Sequence, residues 1–225
     1  ASLSALYNTV RNDMRWNEDI AHACGLSLER LPEIRRSAES VGRMRDETAK
    51  KLGFRHRPQV LIGGNDAVLA AYSAGIRSPG NVINVNGTCE ITLVCLDKCH
   101  PSQDYNVRAH VVPERWLTLH VMNAGGVAYE WFKRTFCAEM SEADFFDRFM
   151  ADAIDGWLTK RNDLVYTPYL LGSRYSLESR TAKLEGLTIE STRSQILAAL
   201  IKGLCEYQKK HLQCVSTFVN LDPVI

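Results

Sequence analysis

The residue best placed to move a proton is Asp66, in the stretch Val60-Leu-Ile-Gly-Gly-Asn-Asp-Ala67. Three apolar residues read as a short buried strand. Gly63-Gly64 permit a sharp turn, and the Ala-rich run to Ala74, stopped by Gly75, reads as a helix. Asn65 and Asp66 therefore stand where a strand hands over to a helix, the edge of an α/β sheet at which ligands bind. A helix N-terminus stabilises a carboxylate, and a carboxylate there can accept a proton from a substrate hydroxyl. The competing reading is a helix N-cap.

Two glycine turns suit phosphate. One is Asn86-Gly87-Thr88, and the other is Asn123-Ala124-Gly125-Gly126, which opens a helix. Turn N–H groups and a helix N-terminus attract anions, and Thr88 adds a hydroxyl. Taken singly, each also reads as an ordinary turn, because neither matches a P-loop or a full dinucleotide fingerprint. A base together with two phosphate cradles suits phosphoryl transfer. Triad chemistry has no support: none of the six histidines has a Ser or Cys partner at a motif spacing, and no nucleophile-elbow pattern occurs. Cys95-x-x-x-Cys99-His100 lacks a second ligand pair, so no metal site is expected.

Composition sets the frame. The chain has 225 residues, 45% hydrophobic and 24% charged, with a net charge of +1. That supports a substantial core, and no basic stripe marks a nucleic-acid partner. No apolar run is long enough to span a bilayer, and the first residues lack a signal-peptide pattern. Seven scattered cysteines without a CxxC pair read as reduced thiols of a cytoplasmic protein. The first residues enter without a start methionine, and the chain reads as a piece of a longer protein.

The elements that must position these residues follow in order. Residues 1–20 read as a loop or short hairpin, Glu18–Cys24 as a weak helix, and residues 37–42 as a linker. Asp46 reads as the cap of a helix running through Lys51 and stopped by Gly53. Asn81–Gly87 and Ile91–Leu96 alternate as a hairpin with Gly87-Thr88 at its tip. Residues 97–115 read as irregular, Trp116–Met122 as a strand and Val127–Phe136 as a helix. Trp116 and Trp131 read as core aromatics. Ser141-Glu-Ala-Asp opens another helix with a box-like cap. A strand over 164–172 is interrupted by Pro168, and 173–185 reads as loop. Ser191 or Thr192 caps the longest helix, Arg193–Leu212, with Lys209, Lys210 and His211 suited to its C-terminal end. Alternating strands and helices argue α/β or α+β.

The ordered set Gly63-Gly-Asn-Asp-Ala, Ala70-Ala, Gly75, Pro79-Gly80 and Gly87-Thr88 resembles the FGGY carbohydrate kinase family, which includes xylulokinases and glycerol kinases. Met122-Asn-Ala-Gly-Gly-Val-Ala-Tyr-Glu-Trp131, Pro168-Tyr-Leu-Leu-Gly172, Arg180, Gly186-Leu187 and Thr192-Arg193 continue the match. Ala1-Ser2, Leu6-Tyr7, Trp16, Leu31-Pro32 and Gly42 precede it. The resemblance implies an α/β actin-like ATPase fold with two ribonuclease-H-like lobes. Residues 1–78 would end lobe I, on the sugar side, and residues 79–225 would begin lobe II, on the nucleotide side. It implies ATP-dependent phosphorylation of a sugar or polyol, with ATP and Mg²⁺ as cofactors and a possible homodimer.

By the same resemblance Asp66 is the catalytic base and, with Asn65, meets the substrate. Gly87, Thr88, Gly125, Gly126 and Glu130 serve the ATP phosphates. The family's Asp-x-Gly-Thr phosphate loop, most of its sugar-binding residues and its adenosine-binding glycines fall outside this sequence. Lys202 stands where relatives usually carry an acidic residue, and Asn65 where many have glycine. The alternative is a non-catalytic sugar- or nucleotide-binding relative, or an inactive fragment of the same fold.

Overall fold

The computed structural model describes residues 5–224, the side chains of 158 and 159 excepted. Ala1-Ser2 of the resemblance lies outside the described residues. Two compact units emerge: Ala1–Asn81 with Val94–Pro101 and Val107–Thr118, and Val82–Leu93 with Ser102–Asn106 and Leu119–Ile225.

In the first unit Tyr7 and Trp16 form an antiparallel bridge, the short hairpin the sequence allowed. Helix α1 is Glu18–Ala23, capped by the Asn17 side chain, which accepts from the Ile20 N–H. The expected linker is instead partly strand. β1 (Ser40–Arg43) pairs antiparallel with β2 (Gln59–Leu61), with Ser40 opposite Leu61. Only tertiary pairing makes so polar a segment extended. Between them lies α2, Asp46–Lys51, whose N-cap is Arg45, so Asp46 is its first residue rather than its cap. After β2, Gly63 takes φ 72° to turn the chain, and α3 runs Asp66–Ser73, burying Val68 and Ala71.

Strands β3 (Val82–Asn86), β4 (Glu90–Leu96), β5 (Asn106–Ala109) and β6 (Trp116–Met122) form a sheet in the order β3-β4-β6-β5. The central strands β4 and β6 are almost wholly buried, as strands covered on both faces are. β5 corrects the reading of 97–115 as irregular. It is short, polar and at the sheet edge, where no apolar alternation is required.

In the second unit helix α4 (Gly126–Phe136) follows β6. The next helix opens as a wide π segment over Asp144–Phe149, continuing as α5 (Met150–Thr159). The Ser141 hydroxyl accepts from the Asp144 N–H at 3.1 Å and donates to its carboxylate at 2.7 Å. β7 (Val165–Thr167) stops before Pro168, shorter than the strand expected over 164–172 because the proline cannot donate to the ladder, and pairs with β8 (Lys183–Glu185), a strand inside the expected loop. Helix α6 is Arg193–Val215 with a full Thr192/Gln195 capping box, which selects Thr192 over Ser191. The helix therefore runs past Leu212. His211 is not a terminal cation but is buried at 4% exposure. The core of this unit gathers Phe132, Phe145, Tyr166, Leu197, Leu200 and Leu204. Gly203 lets α6 press against β7, since a Cβ there would overlap the Tyr166 carbonyl oxygen.

Candidate active site

Asp66 is the first residue of α3, and Asn65 is its N-cap. The capping alternative therefore falls to Asn65, whose side chain makes no capping bond. Instead the Asn65 amide donates to Asp66 Oδ1 at 2.7 Å, and the Ala67 N–H donates to the same oxygen at 2.7 Å. Both bonds fall on one oxygen, which leaves Oδ2 for a further donor. Asp66 is exposed and Asn65 half-buried. Gly64, just ahead, is in close quarters: a Cβ there would lie 3.1 Å from Val111 Cγ1.

The second unit brings together four of the expected phosphate residues. Gly87-Thr88-Cys89 forms the tip between β3 and β4, with the Gly87 N–H donating to the Cys89 carbonyl at 2.9 Å. The tip is bonded to the start of α4. The Gly125 N–H donates to the Thr88 carbonyl at 2.9 Å, and the Gly126 N–H to the Gly87 carbonyl at 2.7 Å. Ideal Cβ atoms would sit 2.6 Å from the Glu90 nitrogen at Gly125 and 2.7 Å from the Gly87 oxygen at Gly126. The glycines therefore supply closeness, and their N–H groups are spent inside the turn. Thr88 remains exposed at the tip, beside a helix N-terminus that favours anions. Glu130 lies exposed one turn into α4.

Sequence reasoning missed the polar chain behind this hairpin. Glu90 is buried, and burial raises its pKa, opposed by the bond from Asn84. The Asn84 amide donates to Glu90 Oε1 at 3.0 Å and to the Thr92 hydroxyl at 2.9 Å. Thr92 donates to Gln208 Oε1 at 2.8 Å, which also lies 3.0 Å from His120 Nδ1. His120 stacks on His211 at 4.5 Å. These residues are far apart in sequence and carry no motif spacing. Arg180, quoted for the resemblance, donates to the Tyr169 hydroxyl at 3.0 Å. Lys202 lies over the Trp157 ring.

The stacked histidines make stability depend on pH. Burial, then the neighbouring His120, lowers His211 to about 3, and burial lowers His120, opposed by its bond to Gln208. Both histidines fold neutral, so the unfolded chain binds more protons between about pH 6.5 and the folded values. Stability is full above the unfolded value and falls with acidification through that window, by about 1.4 kcal/mol per pH unit for each histidine titrating. Denaturant midpoints of the complete protein at pH 7.5 and pH 5 should show this loss. His211→Gln should flatten it, and an unchanged slope in that variant would remove His211 from the account.

The fold is that of the actin-like ATPases. A xyloylose kinase from Brucella ovis superposes with a TM-score of 0.81 at 18% identity, over 97% of this chain and 44% of that one. Plasmodium falciparum glycerol kinase with ADP gives 0.76 at 15% identity, over 95% and 43%. In sequence, the xylulose kinase of Bacillus subtilis (strain 168) is 28% identical over 195 residues, 84% of this chain and 38% of that enzyme. The model of the FGGY family of carbohydrate kinases, N-terminal domain, matches residues 1–73. The chain is thus similar to the FGGY family of carbohydrate kinases. It spans less than half the length of these relatives. Among the described residues no helix is long and apolar enough to cross a membrane.

Proposed function

We propose that the complete protein containing this chain transfers a phosphoryl group from ATP to a hydroxyl of a sugar or polyol. The observation that carries this reading is the hairpin tip bonded to the glycine start of α4, with Thr88 exposed at that tip. An exposed hydroxyl and a positive helix end fit a phosphate. ATP supplies the phosphoryl group and an anionic leaving group. Thr88 binds and orients the phosphates, with Gly87, Gly125 and Gly126 letting them approach, and Glu130 faces the nucleotide from α4. Asp66 accepts the proton of the attacking hydroxyl at Oδ2, while Asn65 fixes Oδ1. Residues 1–78 belong to the sugar-side lobe and 79–225 to the nucleotide-side lobe. No cluster of three or more His, Cys, Asp or Glu residues suits a metal ion among the described residues. No step is assigned to Mg²⁺. The proposed setting is the cytoplasm, supported by seven free thiols, with a homodimer as the proposed assembly.

The test is ADP release by the complete protein with ATP and a panel including xylulose, glycerol and gluconate. One polyhydroxylated substrate should raise turnover at least about tenfold, well within what positioning and a general base supply. Sugar binding without turnover would replace the proposal by a non-catalytic relative. ATP turnover indifferent to every sugar would point to an actin-like ATPase instead.

A further inference from the structure

An anion at the hairpin tip meets a problem of charge. The Gly87, Gly125 and Gly126 N–H groups already donate to carbonyls of the turn, and Thr88 offers only a neutral hydroxyl. A triphosphate brings several negative charges to that point. A cation is held beside it. Arg174 Nη2 lies 3.8 Å from Cys89 Sγ, the residue next to Thr88, and Arg174 Nε donates to Asn123 Oδ1 at 2.5 Å.

The arm is anchored rather than loose. Asn123 opens the turn that follows β6, and its amide donates to the carbonyls of Leu171 at 2.9 Å and Gly172 at 3.4 Å. The next residue, Tyr175, clamps the same segment to β6. Its hydroxyl donates to the Leu119 carbonyl at 3.0 Å and accepts from the Val121 N–H at 2.9 Å. Side-chain entropy that a free surface arginine would lose on binding an anion is thus already reduced. None of the ion pairs found among the described residues involves Arg174. It is exposed, and its guanidinium has donors beyond the two engaged, in the fork that suits phosphate oxygens.

We infer that Arg174 is a phosphate-binding residue of the hairpin site, pairing with the terminal phosphate of a nucleoside triphosphate seated at Thr88. The inference rests on the nucleotide reading above. A surface tie that merely steadies the 169–175 segment would predict no dependence on ligand charge.

Titration calorimetry of the complete protein with ATP, ADP and adenosine separates the cases. Arg174→Gln should weaken ATP by about tenfold or more, the size of a lost charge-assisted bond. ADP should weaken less, and adenosine should bind as in wild type. Equal weakening of all three ligands, or no weakening of ATP, would overturn the assignment. If the glutamine variant does not fold, Arg174→Lys decides. It keeps a charge but not the fork, so a severalfold loss for ATP alone is expected, and parity with wild type overturns the inference. A wild-type protein that binds none of the three would sink the nucleotide reading and this inference with it. Nucleotide binding in wild type with an indifferent Arg174 would sink the inference alone.

Discussion

Replacing Asp66 by Asn in the complete protein should lower kcat about 10²- to 10⁴-fold while leaving ATP affinity within about twofold, the range expected for removal of a positioned general base. The structure makes this substitution discriminating. Asp66 is not the N-cap of α3, and its bonds from Asn65 and the Ala67 N–H both fall on Oδ1. An asparagine presenting its carbonyl oxygen at that position keeps both bonds and replaces only the second carboxylate oxygen by an amide that cannot take a proton. If Asp66 merely decorates the first turn of a helix, the cost is a small loss of stability with catalysis intact. Steady-state kinetics with the best substrate of the sugar panel, beside a denaturation curve, tells these apart. Near-wild-type kcat in a folded Asp66→Asn protein would strike Asp66 from the mechanism. Asn65→Ala should show a milder fall in kcat, because it frees the carboxylate without removing it.

Gly125→Ala or Gly126→Ala should abolish measurable triphosphate binding and destabilise the protein by about 1–3 kcal/mol, the usual cost of forcing a methyl group into a filled space. The obstacle at both positions includes backbone. A Cβ on Gly125 would lie 2.6 Å from the Glu90 nitrogen and 2.8 Å from the Cys89 carbonyl carbon, and one on Gly126 would lie 2.7 Å from the Gly87 oxygen. Neither neighbour can rotate away as a side chain does. Relief therefore requires the hairpin tip to leave α4, which breaks the bonds from Gly125 and Gly126 to the Thr88 and Gly87 carbonyls. Gly156→Ala provides the internal control. Gly156 lies within α5, and a Cβ there meets nothing within 4 Å, so its removal should be neutral or stabilising by up to about 1 kcal/mol. Nucleotide titration and chemical denaturation of the three variants make the comparison. Gly125→Ala or Gly126→Ala behaving like Gly156→Ala would refute the close-approach account.

The sequence by itself determined the elements whose signal is local. The Ala-rich run after Gly63-Gly64, the alternating Asn81–Gly87 stretch and the long apolar stripe after Thr192 all formed the expected element. Propensity, period and caps suffice there, because neighbours within one helical turn or one strand supply the signal. The glycines of both turns were also legible, since a residue without a Cβ announces close approach or a turn. Tertiary structure decided what depends on partners distant in the chain. β1, β5 and β8 are short and polar, and they are strands only because another strand pairs with each of them. His211 reads as a basic residue at a helix end, yet α6 continues to Val215 and packing buries its ring against His120. The same holds at the candidate site. Sequence could name Asp66 but not show that its neighbour, rather than Asp66, is the helix cap. It could name the glycine turns but not show that their N–H groups are spent on each other, or that Arg174, 85 residues after Cys89, is anchored at the tip. Hydrogen bonds between groups so far apart leave no periodicity to read, and they come into being only when the chain folds.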